Sequence, residues 1–189
     1  MRNLMIATAS FLAFASSAGA TEYKIDPDHT FPSFVADHMG LDHWRGKFNA
    51  TSGTITLDQR KGEETVELTI DPASIDYGLD KLNDWAKGPE LLDVAQYPKA
   101  TYKGTLTGFR DGAPSRVEGE LTLHGVTRPM ALDISMFKCI PHPMLKRELC
   151  GAEAKATIQR DQFGLVAGKE YGFDMTVGLE IQVEAIAVE

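Results

Sequence analysis

Arg116-Val117-Glu118-Gly119-Glu120-Leu121-Thr122-Leu123-His124-Gly125-Val126-Thr127-Arg128-Pro129-Met130-Ala131-Leu132 is the stretch that decides the fold. Val117, Leu121 and Leu123 alternate with Glu118, Glu120 and Thr122, so one side of the segment is apolar and the other polar. That period of two is the mark of a half-buried strand. The alternation resumes after His124-Gly125, with Met130, Leu132, Ile134 and Met136 set against Ala131, Asp133 and Ser135. Only a two-residue turn fits between the two runs, so they are antiparallel neighbours; a parallel pair would need a crossover of a dozen or more residues.

The same pattern recurs on both sides. Ile55 and Leu57 alternate with Thr54 and Thr56, and Val66, Leu68 and Ile70 with Glu67 and Thr69. Met175, Val177, Leu179, Ile181, Val183 and Ala185 form the longest run. Asp111-Gly112, a strong hairpin signal, separates Lys99–Phe109 from Arg116–Leu123. About eight such runs can be traced along the chain. Only Tyr77–Val94 reads as helical, with Leu79, Leu82 and Trp85 spaced three apart before Gly88-Pro89 ends the pattern; a further short turn is expected over Glu90–Val94. Gly104, Gly119 and Gly178 fall inside strands, where small residues leave room or bend the sheet. Such a chain buries its apolar faces either as a two-sheet sandwich or as a closed barrel, and the periodicity does not choose between them.

Residues 1–20 read as a secretory signal: Arg2, an apolar run from Leu4 to Ala15, and Ala18-Gly19-Ala20 at the end. The run is too short to span a bilayer, and cleavage is expected after Ala20, leaving residues 21–189 as one domain. The formal net charge of −8, with no Lys/Arg cluster, argues against nucleic acid and anionic membrane as partners, and no stable membrane insertion is expected. Cys139 and Cys150 are expected to pair in an oxidising compartment. The bond would staple an irregular loop containing Pro141 and Pro143 and contribute about 3 kcal/mol on the chain-entropy argument.

A set of short motifs adds a resemblance. Tyr23-Lys24-Ile25-Asp26 precedes His29-Thr30, Phe34-x-Ala36-x-His38-Met39-Gly40 and Arg45-Gly46-x-Phe48. Gly53-Thr54-Ile55, Ser74-Ile75, Leu92-Asp93-Val94, Tyr97-Pro98 and the Gly119–Pro129 block follow. Together they resemble the YceI-like family of periplasmic polyisoprenoid-binding proteins, from about Tyr23 to Ala185. The resemblance implies an all-β fold, an eight-stranded antiparallel lipocalin-like barrel with a short helical insertion. It also implies a periplasmic location, an apolar lumen for an isoprenoid, quinone-like or other long-chain lipid held non-covalently, and homodimers as one assembly. Leu82-Asn83-Asp84-Trp85-Ala86-Lys87 departs from the family's Arg/Asp–His–Leu stretch, and the Cys139–Cys150 loop occurs in only some members.

The cavity lining expected from the inward phases is Phe34, His38, Val66, Leu68, Ile70, Leu121, Leu123, Met130, Leu132, Ile134, Val177 and Leu179. His38 has two readings, a headgroup contact in that cavity or a polar group bonded to backbone near a barrel end. No catalytic motif places a nucleophile beside a base, and no catalytic residue or cofactor is assigned. A zinc set can be written from Asp26, His29 and His38, but the spacing forms no motif and no metal is expected. The competing functions are a filled barrel with a structural or stress-related interaction role, and an enzyme acting on a lipid headgroup.

Overall fold

The computed structural model describes residues 20–57 and 64–189, so the expected signal segment lies outside the described residues except for Ala20. The elements in chain order are β1 (Thr21–Ile25), β2 (Phe31–His38), β3 (Asp42–Phe48), β4 (Thr51–Leu57), β5 (Thr65–Ile70), β6 (Ile75–Asp76), α1 (Asp80–Lys87), β7 (Ala100–Thr107), β8 (Arg116–Leu123), β9 (Val126–Pro141), β10 (Glu148–Gln159) and β11 (Thr176–Ala187). All pairings are antiparallel. Hydrogen bonding runs β1-β4-β5-β7-β8-β9-β10-β11 and then back from β11 to β1, which closes an eight-stranded barrel. β2, β3 and β6 carry three of these staves onward: β2 extends β1 along β11, β3 precedes β4, and β6 follows β5. The sandwich-or-barrel choice is thus resolved as a barrel.

The break between β1 and β2 shows how the ladder survives a bend. β11 pairs Ala185 with Ile25 and Gln182 with Phe31. Between them the Glu184 amide donates to Thr30 Oγ1 (3.1 Å), and its carbonyl accepts from the Asp26 amide (2.9 Å) and Thr30 Oγ1 (3.2 Å). The Thr30 hydroxyl thus replaces the missing strand partner and is buried, as satisfied backbone groups in a wall require.

His124 (φ 51°) and Gly125 (φ 74°) both take left-handed conformations between β8 and β9. Positive φ at both central residues is the tight turn whose twist matches paired strands. Asp111 and Gly112 repeat it, with Arg110 and Ala113 exchanging both backbone hydrogen bonds at 2.9 Å.

Three expectations are corrected. The helix starts later than Tyr77: it spans Asp80–Lys87, with Leu79 still extended, while its end at Gly88 and the turns over Glu90–Val94 are as expected. Met136 is not on the inner face. Glu153 pairs with Met136 but Ala154 pairs with Ile134, so Ser135 is a bulge that reverses the alternation, leaving Met136 exposed and turning Phe137 inward. The disulfide forms, but not across an irregular loop: Cys139 and Cys150 face each other inside the β9–β10 ladder, which continues to Pro141 and Glu148.

One end of the barrel is plugged by Tyr23, Ile25, Cys150, Ala185 and Ala187, and the Tyr23 hydroxyl donates to Glu148 there. Burial first, then Glu148, raises the Tyr23 pKa. The α1 end carries the β2–β3 and β8–β9 turns and the long loop between β10 and β11. No helix among the described residues is long and apolar enough to cross a membrane.

Candidate functional site

The barrel wall encloses a cavity of about 890 Å³, within the range of small-molecule pockets. Ordinary interiors are packed nearly as densely as organic crystals, so a void this large is a feature of the design of the wall. Its cause is visible on β10, whose inward phase reads Ala152, Ala154, Ala156, Ile158. Ala152 and Ala154 line the cavity and leave empty the volume that leucines would fill.

Eleven of the sequence-expected residues line this cavity: Phe34 on β2, Val66, Leu68 and Ile70 on β5, Leu121 and Leu123 on β8, Met130, Leu132 and Ile134 on β9, and Val177 and Leu179 on β11. His38 does not line it. Its ring stacks on Trp44 at 4.0 Å, meets the edge of Phe173, and its Nδ1 lies 3.6 Å from Asp42. Trp44, from the same hairpin, occupies the wall position instead. Asp26 and His29 pair at 2.9 Å with Glu184 close by, but His38 stands at the opposite end of β2, so the three-residue metal set is not assembled. His124 accepts a place in its turn against Tyr97, with Nδ1 3.2 Å from the Phe163 carbonyl.

The mouth can be located from exposure. The exposed lining residues are Trp85 and Glu90, on and just after α1, and Val166, Glu170 and Tyr171, on the loop before β11. The cavity therefore opens between α1 and that loop, away from the plugged end. The loop bends through Gly164, Gly168 and Gly172, all at φ near +80°. Gly168 also has the Phe173 ring 2.8 Å from where a Cβ would stand.

Two polar residues near the mouth were missed by the sequence reading. Arg160 lines the cavity, half-buried, and its guanidinium donates to the carbonyls of Leu165 (2.7 Å) and Ala167 (2.6 Å). Burial lowers its pKa, while Tyr77 and Asp161 act in the opposite sense. Tyr77, also in the lining, packs edge-on against Phe34 and has its pKa pushed up to about 12 by burial. A signal for Arg160 existed: it continues the inward phase of β10 two residues beyond Ile158. Tyr77 had none, since it follows a two-residue strand that alternation cannot detect. Tyr102 donates to the Met130 carbonyl at 3.0 Å, and Thr51 Oγ1 has no hydrogen-bond partner among the described residues.

A family model described as the YceI-like domain matches residues 23–187. A UPF0312 protein of Pectobacterium carotovorum is 32% identical over 165 residues, covering 86% of this chain and 85% of that protein. Protein YceI of Escherichia coli is 31% identical over 160 residues, covering 83% of each. Among solved structures, Burkholderia cenocepacia BcnA superposes with a TM-score of 0.66 at 21% identity, over 85% of this chain and 98% of that one. A polyisoprenoid-binding domain from Saccharophagus degradans, implicated in plant cell wall breakdown, gives 0.65 at 21% identity, over 88% and 98%.

Proposed function

Because this chain belongs to the YceI-like family, we propose that it is an exported, periplasmic binding or carrier protein whose barrel holds a polyisoprenoid, a quinone-like molecule or another long-chain amphiphile. The observation that carries this reading is the hollow lumen, about 890 Å³ with an almost wholly apolar wall and an opening at one end. Leaving such a volume empty forfeits dispersion contacts along its whole lining. A chain-like guest restores them, and each buried CH₂ contributes about 0.8 kcal/mol before the cost of ordering the guest. The same hollow counts against a filled barrel with a purely structural role. The isoprenoid class is supported by the relation to the Saccharophagus degradans domain.

The test is extraction of the purified protein with organic solvent and mass spectrometry of what is released. A near-stoichiometric long-chain amphiphile is the expected result. A protein that arrives empty and also fails to take up long-chain probes overturns the reading.

A further inference from the structure

The cavity has a chemically distinct end. Among the described residues Arg160 is the one cation in its lining, and it sits by the mouth, tied to the carbonyls on either side of the exposed Val166. Among the described residues no carboxylate lies within ion-pair distance of its guanidinium. The lining carboxylates are occupied or outside: Asp37 accepts from the amides of Gly40 (2.9 Å) and Asp174 (3.1 Å), Glu90 accepts from Trp85 Nε1, and Glu170 is exposed on the rim.

A guanidinium carries five N–H donors. The carbonyls of Leu165 and Ala167 take one from each terminal nitrogen, so one N–H on each terminal nitrogen and Nε–H remain. Tyr77 lines the same cavity and packs edge-on against Phe34, and no described residue donates a hydrogen bond to its hydroxyl. Asp161 acts on this half-buried cation only from beyond ion-pair distance and is itself held by Lys169 at 2.8 Å, while the guanidinium's own tie to the loop fixes it in place. That combination, a pre-positioned planar fork with spare donors at the rim of an apolar tunnel, suits a planar or tetrahedral oxyanion.

We propose that Arg160 and Tyr77 form a headgroup subsite, and that the preferred guest is an amphiphile ending in an anionic oxygen group, a carboxylate or a phosphate. The tail then occupies the barrel between the alanine face of β10 and the wall of β5, β8 and β9, and the head stays at the mouth. This rests on the carrier reading above, and the experiment separates the two.

The full mature protein is stripped of bound lipid and titrated with matched probes: palmitate, hexadecanol and hexadecylamine, then farnesyl phosphate and farnesol. Displacement of a fluorescent long-chain probe gives each affinity. Palmitate and farnesyl phosphate are expected to bind about tenfold or more tighter than the corresponding alcohols, with the amine weakest. Arg160→Gln should erase that preference, bringing the acids' affinity down to that of the alcohols, and Tyr77→Phe should narrow it. A preference for only one of the two acids upholds the subsite and names the headgroup. Equal binding of acids and alcohols by the unaltered protein overturns the subsite and leaves the carrier reading standing. So does an Arg160→Gln variant that loses affinity for every probe alike, which would make the residue a brace for the loop only. If no probe of any headgroup binds, the carrier reading itself has failed. The comparison on the unaltered protein decides even if Arg160→Gln does not fold.

Discussion

At the scale of single residues, the β8–β9 turn is where local chemistry is most tightly fixed. Gly125 stands at φ 74°, and a Cβ there would lie 2.7 Å from the Tyr97 ring. Gly125→Ala is therefore expected to cost about 1–2 kcal/mol for the left-handed backbone alone, and more if Tyr97 cannot move. Gly151→Ala is the control, since its nearest neighbours lie 3.8 Å away, and it should change stability by less than about 0.5 kcal/mol. Urea unfolding of the two variants checks this, and equal losses would refute it. This turn was legible from the sequence because both constraints are local: two residues between two alternating runs, one of them glycine. Gly119 shows the opposite case. Its place in a strand was visible, but the reason for it was not. A Cβ there would meet the Tyr102 side chain at 2.7 Å and the Lys103 carbonyl at 2.4 Å, a cross-strand approach that only the folded sheet creates.

At the scale of elements, strands were readable wherever alternation ran unbroken, and misread where an insertion shifted its phase. β9 is the example. The Ser135 bulge sends Met136 outward and Phe137 into the lumen, and nothing in the local sequence distinguishes a bulge from one more regular step. The hairpin beyond it carries the Cys139–Cys150 bond, 11 residues apart in sequence. Its removal by reduction or by Cys139→Ala/Cys150→Ala is expected to lower stability by up to about 3 kcal/mol, chiefly by freeing the unfolded chain. The folded hairpin should persist, because the ladder extends past both cysteines. Denaturant unfolding with and without reductant tests the magnitude. Lipid binding should be unaffected, since neither cysteine lines the cavity; a large loss of binding on reduction would contradict that separation of roles.

At the scale of the whole molecule, the hollow is the property that matters, and β10 makes it. Ala154→Leu places a larger side chain on the inner wall at a buried position. The variant is expected to fold with stability within about 1.5 kcal/mol of the parent, because the added volume enters existing space. Its affinity for long-chain probes should fall about tenfold or more as the tunnel is obstructed. Unfolding of the variant would mean that the wall at Ala154 is already close-packed, and unchanged affinity would mean that the guest lies elsewhere. The sequence by itself determined the antiparallel strands, their tight turns, the cysteine pair and eleven of the cavity-lining residues. Each of these follows from side-chain order along one strand or between two neighbours. Closure of β11 onto β1, the hollow itself, the exclusion of His38 from it and the presence of Arg160 and Tyr77 in one lining were decided only by tertiary structure. They depend on which strands meet around the ring, and on volumes and charges contributed by segments distant in the chain, quantities that no local period encodes.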